Sequence, residues 1–494
     1  MFMDELRDKV WSEIRQLDLR SFDTLLSEDT FIKAAEMTGV RLGCSPLSLA
    51  QMVWLGVSGA MHVTRNFASV LQLTVKILED FSDWSPRELP NSVCKRRNGS
   101  KKKQKPSKRN PRGSSPLGVT EEAFVQARKR MPLSFWAALV LVLSQRFEKK
   151  HKAWVHWKKF RLLAVDGTTV SLAGWKKLRD HFGTAKNGKS KGRTQLRMVM
   201  LQMPMARIPW RYVVGPVAEG ERTLAAKLLD RLSENDLVLL DRGFWSYGLF
   251  HQIQTQKAFF AIRLSKQIRL HTVRRLGRQD RLVRWDKPTG PRWCGLGLPN
   301  SIDLRVVEYR IPGFRPSAVV TNVLQPTVVS RMDWVRLASE TEPGDERLGV
   351  GLYHRRWEIE TTFRELKVTQ AMEGHLRGRQ PESVYYEIAG HVVLYLLVRW
   401  LIVEAAVAAG VDPLRVSFKA ALEELQDMRP ALITASVNRL RDVLLPRLLM
   451  RIAQHLVPLR PGRHYPRPHD TQVKNCGRGR RIQPHKLRNS ASQT

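Results

Sequence analysis

Phe160-Arg-Leu-Leu-Ala-Val-Asp-Gly-Thr-Thr169 is the stretch that decides the fold. Its apolar run is short and ends on an acid followed by Gly-Thr-Thr, which predicts a buried strand closed by a turn. Leu237-Val-Leu-Leu-Asp-Arg-Gly243 repeats the arrangement. Between the two, residues 197–203 and 212–214 predict further strands and residues 221–232 a helix. Three strands, a helix and another strand describe an α/β unit, a mixed sheet flanked by helices.

Working outward, residues 4–94 and 120–146 carry apolar positions at helical spacing. Phe31, Ala34, Ala35 and Met37 are one such set, and Ser45-Pro46 reads as a helix start. Phe31 to Val53, broken by Gly39 and Gly43, is compatible with a helix-turn-helix or with a plain bundle. Downstream, residues 258–337 are β-rich, with strands expected at 259–263, 304–310, 318–320 and 334–337. A long helix is expected over 344–368, and further helices to about 456. No internal repeat is evident.

The 494 residues carry 83 Lys and Arg against 46 Asp and Glu, a net charge of +37, with 43% hydrophobic residues. That excludes a wholly disordered chain and a single small binding module. A surplus this large repels itself unless a polyanion neutralises it, which points to nucleic acid. Lys95 to Arg112 holds ten basic residues and no acid, and Arg460 to Arg488 holds nine against Asp470. Together they account for +18, so the rest of the chain keeps +19 and must itself present basic surface.

Cys44, Cys94, Cys294 and Cys476 form no Cys-x-x-Cys pair, and the thirteen histidines form no His-x-x-His pair, so neither a disulfide framework nor a zinc centre is indicated. A reducing cytoplasm fits. The first nine residues lack the apolar run of a secretory signal. Residues 391–410 are apolar but contain His391, Arg399 and Glu404, which favours a buried helix over a membrane span.

These patterns divide the chain into an N-terminal helical domain with a possible role in DNA-end binding (1–94), a basic linker (95–116), a helical lead-in with the first part of the α/β core (117–257) and a β-rich insertion (258–340). The completion of the core with its long helix (341–410), C-terminal helices (411–458) and a basic tail (459–494) follow.

Asp166 and Asp241 each follow a buried strand, where ligands bind in open α/β sheets, and adjacent strands can bring such carboxylates together. An Asp after a strand is also a common turn residue. The helix around Gly351-Leu-Tyr-His-Arg-Arg-Trp-Glu-Ile-Glu-Thr-Thr-Phe-Arg-Glu-Leu-Lys367 bears on that choice. At about 100° per residue, Tyr353, Arg356, Glu360 and Lys367 share one stripe roughly 60° wide, beside an apolar face of Ile359, Phe363 and Leu366. Glu358 and Glu365 fall away from it. The stripe is either functional or an ordinary solvated face with an Arg356/Glu360 pair. Two more basic clusters, Lys176 to Arg197 and Arg263 to Arg284, hold eight cations each. The first reads as a loop that tracks a DNA backbone or is simply solvated.

The spacing Y-x2-R-x3-E-x6-K at Tyr353, Arg356, Glu360 and Lys367, with Asp-Gly-Thr-Thr at 166–169 and Leu-Leu-Asp-Arg-Gly at 239–243, resembles the bacterial insertion-sequence transposases of family four. The resemblance covers roughly residues 120–405. It implies a cut-and-paste DDE enzyme with a ribonuclease-H-like core, in which Asp166, Asp241 and Glu360 are the catalytic and metal-binding triad and residues 258–340 are the insertion of this branch. Two Mg²⁺ ions, replaceable by Mn²⁺, suit three hard carboxylates.

By the same resemblance, Tyr353, Arg356 and Lys367 grip phosphates near the cut end. Trp334 stacks on a flipped base and Trp357 has a role on DNA, although both tryptophans could equally be core aromatics. The partners implied are the element's terminal inverted repeats and target DNA, with a homodimer in the synaptic complex and a location in the cytoplasm at the nucleoid, away from any membrane. The rival readings are a DNA-binding derivative without catalysis, a nuclease on the same core that cuts without joining, and a basic RNA-associated scaffold.

Overall fold

The computed structural model describes residues 28–40, 49–61, 121–129, 131–185, 192–265, 267–290, 293, 295–310, 316–335 and 351–458. The readings made for the rest of the N-terminal region, Ser45-Pro46, the 95–116 linker, the start of the long helix at 344–350 and the 459–494 tail lie outside these residues.

Among the described residues ten strands form one sheet. They are β1 (His156–Trp157), β2 (Phe160–Ser171), β3 (Gln195–Met203), β4 (Ile208–Pro216), β5 (Asp236–Leu240), β6 (Phe259–Arg263), β7 (His271–Gly277), β8 (Asp280–Asp286), β9 (Ser301–Tyr309) and β10 (Ser317–Thr321). The order is β4-β3-β2-β5-β6-β10-β9-β8-β7, with β1 on β2. β2, β5 and β6 run parallel and every other pairing is antiparallel, so the α/β mixed sheet expected from the sequence is present. All of β5 and residues 160–165 of β2 are buried, as parallel strands covered on both faces must be, which explains their unbroken apolar runs. Phe259–Arg263, grouped by sequence with the β-rich stretch, is instead the third parallel strand. Through the β6–β10 pairing that stretch prolongs the same sheet.

Four other elements differ from expectation. Residues 334–337 were expected as a strand, but Arg331–Val335 is a helix. Its cause is a reciprocal cap: Ser330 N donates to Asp333 Oδ2 at 2.8 Å, and Asp333 N donates to Ser330 Oγ at 3.1 Å. The basic stretch starting at Lys176 opens as a helix, Lys176–Phe182, because Leu178 and Phe182, four residues apart, bury one face. The lead-in is two helices, Glu121–Lys129 and Leu133–Lys150, with Pro132 as the N-cap of the second. The long helix is not uniform. From Leu352 it is a 3₁₀ turn to Trp357, an α-helix over Glu358–Arg364 and a π turn over Glu365–Thr369.

Pro381–Ala409 is the central core helix. Its length and apolar composition would suffice to cross a membrane, but 83% of that window is buried within the fold. Its charges have partners there: Arg399 with Glu365, and Glu404 with His151 and Lys150. It ends at Gly410 with φ of 66°, the left-handed position that favours glycine. The Leu49–Met61 helix crosses it where two glycines meet, since a Cβ on Gly390 would lie 2.3 Å from Gly56 O. Tyr386 Oη donates to Met52 O beside that crossing, and Met52, Val53, Leu55 and Val57 are buried. The Leu49–Met61 helix is therefore packed into the core.

Candidate active site

β2 does not end at Val165, as the sequence suggested, but runs on through Asp166 to Ser171. What ends there is its parallel neighbour. The last pair in register is Val165 with Leu240, and beyond it β2 is held by β3 alone, from Asp166 opposite Met200 to Ser171 opposite Gln195. Asp166 and Asp241 thus emerge one step beyond the same rung, side by side at the carboxyl edge of paired strands. Asp166 Oδ1 accepts from Gly167 N at 2.9 Å. Burial pushes the Asp166 carboxyl up to about 7, and the charges of Glu221 and Asp241 add to the rise against the Gly167 hydrogen bond and Arg356.

The helical segment from Leu352 brings the remaining groups. Arg356, buried, places Nη2 3.1 Å from Glu360 Oε1 and 3.8 Å from Asp241 Oδ1. Burial opposes its charge, but Tyr353, Asp241, Glu360 and Asp166 outweigh that and raise its pKa. Trp357, 40% exposed, lies against the guanidinium with 4.6 Å between Cζ and the ring centre. Lys367 Nζ donates to Thr169 O at 2.8 Å and pairs with Glu373 at 3.0 Å, which sets it along β2 beyond Asp166. Asp166, Asp241, Glu360, Arg356 and Lys367 accordingly face one region at the ends of β2 and β5.

Tyr353 and Trp334 are placed differently. Tyr353 is buried, and its hydroxyl donates to Leu240 O at 3.1 Å and accepts from Arg263 N at 3.0 Å, so it fastens the helical segment to the ends of β5 and β6. Trp334 is 1% exposed in the core, and its carbonyl presses on Gly351, where a Cβ would come within 2.5 Å.

Glu358 and Glu365, which share the helix with Glu360, serve another contact. Arg207 stands in the β3–β4 turn with φ of 53°. It donates to Glu358 Oε2 at 2.8 Å and to Glu365 Oε1 at 3.0 Å. Glu365 also takes Arg399 and the Tyr395 hydroxyl. The helix carrying Glu360 is therefore clamped from behind through its two other acids.

Sequence reasoning missed Arg207, and it missed Glu221 and Arg222 at the start of the Glu221–Leu229 helix. Arg222 Nε donates to Gly243 O at 2.7 Å, in the turn after Asp241. An acid in the first turn of a helix is common, and the only further signal was the glycine at 167.

The carboxylates offer hard oxygen donors with no histidine or cysteine among them, a set that suits Mg²⁺ or Mn²⁺ and not a soft metal. Among the described residues no three acids, histidines or cysteines are closed around one point, and the Arg356 guanidinium stands between Asp241 and Glu360. On the basic surface, Arg274, Arg275 and Arg278 of the β7–β8 hairpin are exposed, whereas Arg281 and Arg284 pair with Glu308 and Asp303.

Residues 157–397, which include all of these groups except Arg399, match the family described as a transposase DDE domain. The chain is also similar to the transposase InsG for insertion sequence element IS4 of Escherichia coli strain K12, at 28% identity over 365 residues, covering 72% of this chain and 77% of that protein. Both likenesses support an IS4-type DDE transposase. In this chain Asp166 and Asp241 stand one step beyond the shared Val165–Leu240 rung of parallel strands, and Arg356 reaches both Asp241 and Glu360.

Proposed function

We propose that this protein is a transposase that cuts DNA at the inverted ends of its insertion sequence and joins them to target DNA, with Asp166, Asp241 and Glu360 as the catalytic carboxylates on a ribonuclease-H-like core. The observation that carries the proposal is the adjacency of Asp166 and Asp241 beyond the Val165–Leu240 rung, with Glu360 tied to Asp241 through Arg356. The three acids would hold two Mg²⁺ ions, or Mn²⁺, which when bound supply Lewis-acid activation of the nucleophile and stabilisation of the leaving oxygen.

The residues divide the remaining work. Arg356 and Lys367 meet phosphate oxygens of the end, for which a guanidinium fork and an ammonium are suited. Tyr353 supports this from within by fixing the helical segment to the sheet, and its hydroxyl reaches a phosphate only if it leaves Leu240 and Arg263. Trp357, exposed beside Arg356, offers a face to a nucleotide, and Trp334 stacks on a base only if the Arg331–Val335 helix moves. Water attack at the end frees a 3′-OH, which attacks the opposite strand to close a hairpin, and opening and strand transfer reuse the same carboxylates. Coordination of two ends supports a homodimer in the synaptic complex, working at the nucleoid in the cytoplasm.

The test is cleavage of labelled DNA carrying the element's own end in Mg²⁺, comparing wild type with Glu360→Gln. Cleavage and hairpin products that vanish in the variant while DNA binding persists are expected. A wild type that binds the end but cuts neither intact nor pre-nicked DNA in Mg²⁺ or Mn²⁺ would overturn the proposal in favour of a DNA-binding derivative. Cutting without any strand transfer would favour a nuclease.

A further inference from the structure

The Glu221–Leu229 helix starts against the segments that follow both aspartates. Arg222 holds it to Gly243 O at 2.7 Å, two residues past Asp241. Glu221 turns the other way, across Gly167, the residue after Asp166. A Cβ at Gly167 would lie 2.1 Å from Glu221 Oε1, 2.7 Å from its Cδ and 2.8 Å from its Cγ, closer than real atoms approach. Position 167 is bare because a carboxylate covers it. The Gly167 N–H donates to Asp166 Oδ1 at 2.9 Å, so the Glu221 carboxylate lies over the same short segment that holds Asp166.

Glu221 acts electrostatically on both Asp166 and Asp241. The cations acting on Glu221 are Arg197, opposite Thr169 on β3, and Arg222. A first-turn acid needs only the helix dipole to account for its presence. The dipole does not account for its leaning over the one residue that gives access to another carboxylate, since gathering like charges costs free energy unless a cation joins them.

We propose that Glu221 is a fourth cation-binding carboxylate of the catalytic centre, meeting the divalent ion across Gly167. The inference rests on the DDE reading above and adds a ligand that its three-acid pattern does not contain. It also gives a reason for the glycine of Asp166-Gly167: any side chain there would drive the fourth carboxylate away.

The experiment uses the full chain and Mn²⁺, with free ion followed by electron paramagnetic resonance, alongside thermal melting and end cleavage. Glu221→Gln is expected to melt no lower than wild type without metal, because a repulsion is removed, and to bind Mn²⁺ about 10- to 100-fold more weakly. Half-saturating Mn²⁺ for cleavage should rise with it, and high Mn²⁺ should restore the rate. Gly167→Ala should lower both the melting temperature and Mn²⁺ affinity. Adding Glu221→Ala to it should recover the melting temperature, by removing the clash, but not the affinity. Wild-type Mn²⁺ affinity and metal dependence in Glu221→Gln would overturn the inference. A wild type that neither binds Mn²⁺ nor cuts end DNA would instead overturn the DDE reading beneath it.

Discussion

Arg356 Nη2 lies 3.1 Å from Glu360 Oε1, one helical turn away, and this contact joins the helix to the sheet because the same nitrogen is 3.8 Å from Asp241 Oδ1. The arginine is buried while both acids are about half exposed, so its charge is held by the fold and theirs are open to solvent. Arg356→Gln should lower single-turnover cleavage at saturating end DNA by roughly 100-fold, the scale seen when one preorganised donor is removed from an active site. Arg356→Lys should not restore it, since a point charge cannot replace the fork. A lysine variant with the wild-type rate would contradict this.

Tyr353→Phe tests the role of the hydroxyl that bridges Leu240 O and Arg263 N. Loss of both hydrogen bonds leaves two main-chain groups without that partner and should cost about 1–3 kcal/mol in denaturant or thermal unfolding. If the hydroxyl served only DNA, unfolding would be unchanged and affinity for the end would fall.

Arg207→Met removes the clamp on Glu358 and Glu365. Breaking a buried pair from one side should cost about 3 kcal/mol of stability, and cleavage should fall as Glu360 loses its fixed helix. Burial pushes the Glu365 carboxyl up, but Arg399 and Arg207 outweigh it and hold it below its ordinary range. A depressed carboxylate adds stability that is present above its unfolded value and is lost as pH falls through the folded one. Wild type should therefore lose stability in acid, below about pH 4, and the variant should lose less there.

Asp166 has the opposite sign. Its folded pKa is raised to about 7 from an ordinary 3.8, chiefly by burial. The stability linked to its proton is full below about 4 and is lost as pH rises through about 7. Without metal, wild type should lose stability relative to Asp166→Asn across that interval. Mn²⁺ must displace the same proton, so its affinity should fall about tenfold per pH unit below 7. Calorimetry in buffers of different ionisation enthalpy would count the proton released, and none released at pH 6 would count against the assignment.

The two aspartates were legible because each closes an apolar run that only a strand buried on both faces requires. Arg356, Glu360 and Lys367 were legible because a helix repeats its faces, and these three still face one region although the backbone passes from 3₁₀ through α to π, while Tyr353 turns into the sheet. The helix at Arg331–Val335 was misread because Trp334-Val pointed to a strand, while the deciding cap comes from Ser330 and Asp333. Glu221 and Arg207 were invisible for a different reason. Their roles depend on which backbone passes beneath them, Gly167 in one case and the clamped helix in the other, and no periodicity records a contact between distant segments.

The unbroken sheet from β4 to β7 has a mechanical consequence. Hydrogen-bonded strands resist sliding past one another, so a load placed on the β7–β8 hairpin is carried through β9, β10 and β6 to the strand that ends at Asp241. Nucleic acid resting on the far hairpin would thereby be indexed against the carboxylates as on a rigid ruler, and any large swing would fall to the DNA and not to a hinge within the sheet.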